Sequence, residues 1–218
     1  MQAKDWLISK RYDRMDALWE EAQAREKQML QKLSPQEAYA YLVSKLNWCD
    51  RKQISSCQEL GVHIRKGDIC FVEYGSAYLC EIGYQHFGLI LAIVHHKALI
   101  VPISGSKSAY QHAAHKKHVM RLGRVPGMNK VSVLYLNDAK WINTVRIIDV
   151  KAHLDTDSSL FMEVEKRIKE MLSWEHENYS GMFGWTGQYG FIGSITKEGL
   201  CDLCRTCELS STSHRKSG

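Results

Sequence analysis

The stretch LILAIVHHKALIVPIS, Leu89 to Ser104, narrows most what this chain can fold into, because two apolar runs, Leu89 to His95 and Ala98 to Ser104, are separated by almost nothing. Runs this short and rich in β-branched residues read as strands. A crossover between parallel strands needs a dozen residues or more, so these two must be antiparallel neighbours in a hairpin. The expected link is His96-Lys97, although neither residue is the Asn or Gly that a tight primed turn prefers. Polar groups bracket the hairpin at its outer ends, and they are the natural place to look for chemistry.

Before the hairpin, Met15, Leu18, Trp19, Ala22, Met29, Leu30 and Leu33 recur at helical spacing among charged residues, which predicts a long amphipathic helix within Asp5 to Leu33. A second helix is expected from Pro35, with Ser34 as its cap and Glu37 completing a capping box. Past Gly61 the pattern changes to short β-rich runs: DICFVEY (Asp68 to Tyr74), the hairpin, KVSVLYL (Lys130 to Leu136) and TVRIIDV (Thr144 to Val150). Then Leu160, Phe161, Val164, Ile168, Met171 and Leu172 mark one face of a closing helix. Gly105 to Asn129 shows no clear period, carries Lys107, Lys116, Lys117, Arg121 and Arg124 with no acidic residue, and reads as a long basic connection, either functional or disordered. The expected organisation is a helical extension (1–60), a β-rich domain with its helix (61–175), and a Gly- and aromatic-rich extension with a Cys-containing tail (176–218).

A chain of 218 residues can bury a core without covalent staples, and its net charge of +5 mildly favours an anionic partner. The first residues lack a signal-peptide pattern and no apolar run approaches a membrane span, so a cytoplasmic protein with no membrane partner is expected. Cys49, Cys57, Cys70 and Cys80 follow no regular spacing, which fits free thiols in a reducing compartment.

Four segments in order carry a resemblance: RKGDICFVEYG (Arg65 to Gly75), CEIGYQHFGLILAI (Cys80 to Ile93), IVPISGSK (Ile100 to Lys107) and SVLYLNDAKWINTVRI (Ser132 to Ile147). Together they resemble the PemK/MazF family of toxin endoribonucleases over about half of the chain. The resemblance implies an α+β fold built on a small SH3-like barrel flanked by helices, often dimeric. It also implies cleavage of single-stranded RNA and control by a protein antitoxin. Three positions depart from the family: His86 stands where it carries a catalytic Arg, Ser104 where it carries a Thr, and Asp138 where it carries a Gln.

RNA cleavage without metal needs a base for the 2′-OH, a proton for the leaving 5′-oxygen, and donors that stabilise charge on the phosphorus oxygens. The resemblance places His86, Ser104 and Lys107 in these roles: proton exchange, a hydrogen bond to the scissile phosphate, and charge stabilisation. Lys107 is similar in position to a lysine of the related ToxN toxins. Substrate contacts would come from Glu81 and Asp138 by alignment, from Tyr84 in the same loop, and from the basic stretch. There Lys116, Lys117 and Arg121 suit phosphates, and Tyr110, His112, His115 and His118 suit unpaired bases. A solvated loop histidine, a strand-ending serine and a surface lysine are the plainer reading of the same residues.

Near the C-terminus, Cys201, Cys204 and Cys207 stand at C-x2-C spacing with His214 beyond, a three-thiolate, one-imidazole set that can hold structural zinc. All four lie in one short segment, whereas zinc sites usually draw ligand pairs from two, and catalysis calls for no cofactor. Two alternatives to a nuclease stay open: a non-catalytic RNA- or protein-binding module on the same barrel, and an interaction protein built on the N-terminal helices.

Overall fold

The computed structural model describes residues 15–172; the cysteine tail with His214 and the Gly- and aromatic-rich segment lie outside them. The chain divides into two compact units, Met1–Val43 and Ser44–Gly218. In the first, helix α1 (Met15–Leu30) buries none of its residues. It stops short of the expected Leu33, because Lys32 and Leu33 already donate to Met29 and Leu30 in a tightened turn. Helix α2 (Pro35–Arg51) then starts where its capping box predicts. The Ser34 amide and hydroxyl donate to Glu37 Oε2 at 2.9 and 2.6 Å, and the Glu37 amide donates back to Ser34 Oγ at 3.3 Å. Tyr41 ties α2 to α1 through its hydroxyl, which donates to Glu26 Oε1 at 2.5 Å.

The second unit is α+β. Strands β1 (Asp68–Glu73), β2 (Gln85–Val94), β3 (Lys97–Ser104), β4 (Val119–Gly123), β5 (Ser132–Tyr135), β6 (Lys140–Asn143) and β7 (Ile147–His153) make one antiparallel sheet. Its order is β4-β5-β3-β2-β1-β7, with β6 pairing the other half of β3. Helix α3 (Lys107–His112) follows β3, and α4 (Ser159–Leu172) closes the described chain.

Several boundaries differ from expectation. Lys97 pairs with Val94, so the hairpin turns on His95-His96 and not on His96-Lys97, and His95 takes a left-handed φ of 53°. Strand β2 begins at Gln85, four residues before the expected apolar run, because Gln85 to Gly88 are held by pairing with β1. The basic stretch after Gly105 is not a loop throughout. Ser106 caps α3 by accepting from the Ala109 amide at 3.3 Å, and Val119–Gly123 pairs with β5. Neither segment has enough apolar periodicity to stand out in isolation.

Strand alternation sorts the core onto two faces. On one, Ile69, Leu89, Leu91, Val101, Ile103 and Leu134 pack with Phe161, Val164 and Ile168 of α4. On the other, Cys70, Val72, Ile90, Ala98, Ile100, Ile142 and Ile147 form a second cluster. A third joins Ile82, Ala113, Val119, Val133 and Tyr135 beneath Tyr74 and Tyr110. Of the α4 stripe, Leu172 falls outside the core at 81% exposure. Cys57 and Cys70 are buried free thiols; desolvation, then the charge of Asp68, pushes Cys70 up to about 12, so this thiol is inert.

Candidate functional site

The hairpin register relates its two polar ends to one another. Phe87–Ile103 is the last pair of the hairpin at this end, so His86 and Ser104 each lie one residue beyond the paired register. Phe87 and Ile103 point to the face covered by α4, so His86 and Ser104 point to the other. His86 also pairs with Val72 in β1, and Ser104 with Val133 in β5. The two side chains therefore stand at the middle of four consecutive strands.

Local contacts prepare both groups for chemistry. His86 is exposed, and its Nδ1 lies 2.7 Å from the Gly83 carbonyl oxygen. A carbonyl only accepts, so Nδ1 carries the proton and Nε2 of the neutral ring keeps its lone pair. Desolvation by the surrounding protein holds the imidazole below its usual pKa; the Gly83 bond and the charges of Asp138 and Glu73 oppose that only in part. Ser104 Oγ accepts the Ser106 amide at 3.2 Å, which leaves its hydroxyl hydrogen for another partner. Lys107 opens α3 as an exposed residue in the same connection.

The floor beside this pair is made by Tyr74. Gly88, the next residue on the His86 face of β2, has no side chain, and a Cβ there would collide with the Tyr74 hydroxyl and Ile100 Cγ2. That hydroxyl reaches the Phe87 carbonyl at 3.5 Å, and burial raises its pKa, so it stays protonated. Lys140 Nζ lies 5.8 Å from the Tyr74 ring centroid and 2.7 Å from Asp138 Oδ1. Pattern reading missed both residues. Tyr74 lies past the end of β1 and Lys140 in a strand of four residues, and only folding brings Tyr74 against Gly88 and Lys140 over the Tyr74 ring.

The remaining expected site residues divide. Asp138 accepts the Ile82 amide at 2.6 Å and Lys140 at 2.7 Å, which ties it to the β1–β2 loop. Glu81 accepts the Tyr78 amide at 3.3 Å within that loop. Tyr84 closes it: its amide donates to the Gly75 carbonyl and its carbonyl accepts from Tyr74, both at 2.7 Å, with a left-handed φ of 54°. Arg121 and Tyr110 meet each other. The guanidinium sits 5.1 Å from the ring centroid and donates to the carbonyls of Tyr110 at 3.0 Å and Gln111 at 3.1 Å, capping the end of α3. Lys116 is half-buried and Lys117 exposed before β4. Among the described residues, no three His, Cys, Asp or Glu side chains converge as a metal site, and no helix is long and apolar enough to cross a membrane.

No protein-family model matches the chain, and no curated protein matches it either. Among solved structures it is similar to the Mycobacterium tuberculosis toxin MazF-mt6, at 14% identity over 48% of this chain and 95% of that one, with a TM-score of 0.36. It is also similar to MazF (Form-I) from Deinococcus radiodurans, at 13% identity over 50% and 96% of the two chains and a TM-score of 0.39. A MazE-MazF structure (Form-II) from the same organism matches at 13% identity over 51% and 97%, with a TM-score of 0.37.

Proposed function

We propose that this protein is a metal-independent endoribonuclease that cuts single-stranded RNA by attack of a 2′-OH on the adjacent phosphate. The observation that carries the proposal is the same-face placement of His86 and Ser104, with Nδ1 committed to Gly83 and Nε2 left as a base. In this reading Nε2 takes the 2′-OH proton as the 2′-oxygen bonds to phosphorus. The bond to the 5′-oxygen breaks, and that oxygen receives the proton from the imidazolium, leaving a cyclic phosphate and a free 5′-hydroxyl. Ser104 donates its hydroxyl hydrogen to a phosphate oxygen, and Lys107 supplies positive charge to the developing dianion. Replacing the family's Arg by His leaves the proton transfers with a group suited to them, since imidazole titrates near neutrality and guanidinium does not.

The ordered motifs support a toxin–antitoxin setting in the cytoplasm, with the protein acting as a homodimer restrained by a protein antitoxin. The deciding assay is incubation of the purified full chain with mixed RNA in EDTA. Cleavage is expected, with His86→Ala and Ser104→Ala each lowering the rate by roughly 10²- to 10⁴-fold. Equal cleavage by all three proteins removes these residues from the mechanism. Salt-sensitive RNA binding with no product instead identifies a binding module on the same scaffold.

A further inference from the structure

A second feature lies one residue along the strands from His86. Val72 pairs with His86, and the next pair, Glu73 with Gln85, borders a cleft of about 390 Å³. Its walls come from the C-terminal half of α2, the start of the β1–β2 loop and the β6–β7 turn, so it draws on a helix that the family resemblance does not reach. Among the described residues, the cations Lys45, Arg51, Lys52 and Arg146 line it with one carboxylate, Glu73.

Both oxygens of that carboxylate accept hydrogen bonds from the protein. Glu73 is 3% exposed, with Oε1 accepting Ser44 Oγ at 2.7 Å and the Gly75 amide at 2.9 Å while Oε2 accepts the Gln85 amide group. Both arginines are held in place by backbone. Arg51 Nη1 donates to the carbonyls of Val145 at 3.0 Å and Ile147 at 3.3 Å. Arg146 Nη1 donates to those of Glu73 at 3.2 Å and Tyr74 at 3.0 Å. A guanidinium has five N–H donors in a rigid fork, so anchoring one nitrogen orients the others without using them up. Beside them stands Trp48, 55% exposed, with the Lys52 ammonium 4.9 Å from its ring centroid.

Backbone-anchored guanidiniums, ammoniums and an exposed indole in one concave site match a phosphate joined to an aromatic base. We propose that this cleft is a nucleotide-binding site: the phosphate sits among Arg51, Arg146, Lys45 and Lys52, and the base stacks on Trp48. The ligand is a nucleotide of a single strand or a free mononucleotide, which share this chemistry. The proposal does not depend on the nuclease reading, because it concerns affinity at a different set of side chains.

Calorimetric titrations of the full chain carrying His86→Ala and Ser104→Ala, with uridine monophosphate in one arm and a short oligouridylate in the other, test it without cleavage. Binding of at least one probe is expected at low salt. Trp48→Ala should weaken it roughly fivefold to a hundredfold, the range of losing one base stack, with Trp48→Phe restoring most of the loss. Lys45→Gln with Lys52→Gln should lower the slope of log affinity against log salt for the oligonucleotide by about 1.4, two phosphate contacts on a single strand. Binding of uridine monophosphate assigns the site to free nucleotides; binding of the oligonucleotide alone assigns it to a strand. All three residues are exposed, so the variants should melt with the parent. Undiminished affinity in both sets of variants, or no binding of either probe, overturns the site.

Discussion

At the scale of single residues, the proposed chemistry rests on one imidazole held neutral. Desolvation lowers the His86 pKa, so the base form persists to a more acidic pH than a free histidine allows. The acid limb of kcat/KM for RNA cleavage should therefore fall below the ordinary value of about 6.5, and residual activity in His86→Ala should lack that limb. A limb at or above 6.5 assigns proton transfer to another group. The stability sign follows from the same shift. Between the lowered folded value and 6.5 the unfolded chain binds more protons, so His86's contribution is complete above 6.5 and is lost as pH falls through its folded value. His86 and Ser104 could be read from motif order. The Gly83 bond, the Tyr74 floor and Lys140 could not, since each depends on a chain reversal that brings distant positions together.

Among the elements, the β1–β2 loop decides whether the histidine is presented correctly. It is closed at its base by the backbone bonds of Tyr84 with Tyr74 and Gly75 and held from outside by Asp138, whose carboxylate takes the Ile82 amide at 2.6 Å. Asp138→Ala should leave that amide without its partner and loosen the loop that supplies the Gly83 carbonyl. Hydrogen exchange at Ile82 should quicken while amides in β3 keep their protection, and cleavage should fall with little change in the unfolding midpoint. Unaltered exchange at Ile82 removes Asp138 from this role. The long elements were legible because their patterns are strong, as with the Ser34–Glu37 capping box and the α4 stripe of Phe161, Val164 and Ile168. Helix α3 and strands β4 and β6 were not. Each has six residues or fewer, and their pairing partners rather than their own periodicity hold them.

For the whole molecule, the second unit stands on the face where α4 meets β1, β2, β3 and β5. Phe161 is fully buried there, so Phe161→Ala should cost about 3–5 kcal/mol, whereas Leu172→Ala, at 81% exposure, should stay within about 0.5 kcal/mol. Urea midpoints at constant slope measure both. A loss under about 1 kcal/mol at Phe161 would mean that α4 contributes little to the core. From its residues alone this chain determined an antiparallel hairpin, helices before and after it, and a histidine and a serine at the hairpin's outer ends. Those are consequences of local periodicity, of chain reversal too short for a crossover, and of motif order. Only the tertiary structure decided that the imidazole and hydroxyl share a face, that Asp138 serves the loop, and that α2 completes a basic cleft with Arg146. Face and register come from pairing among strands distant in sequence, and a slip of one residue would turn every one of these side chains to the other side.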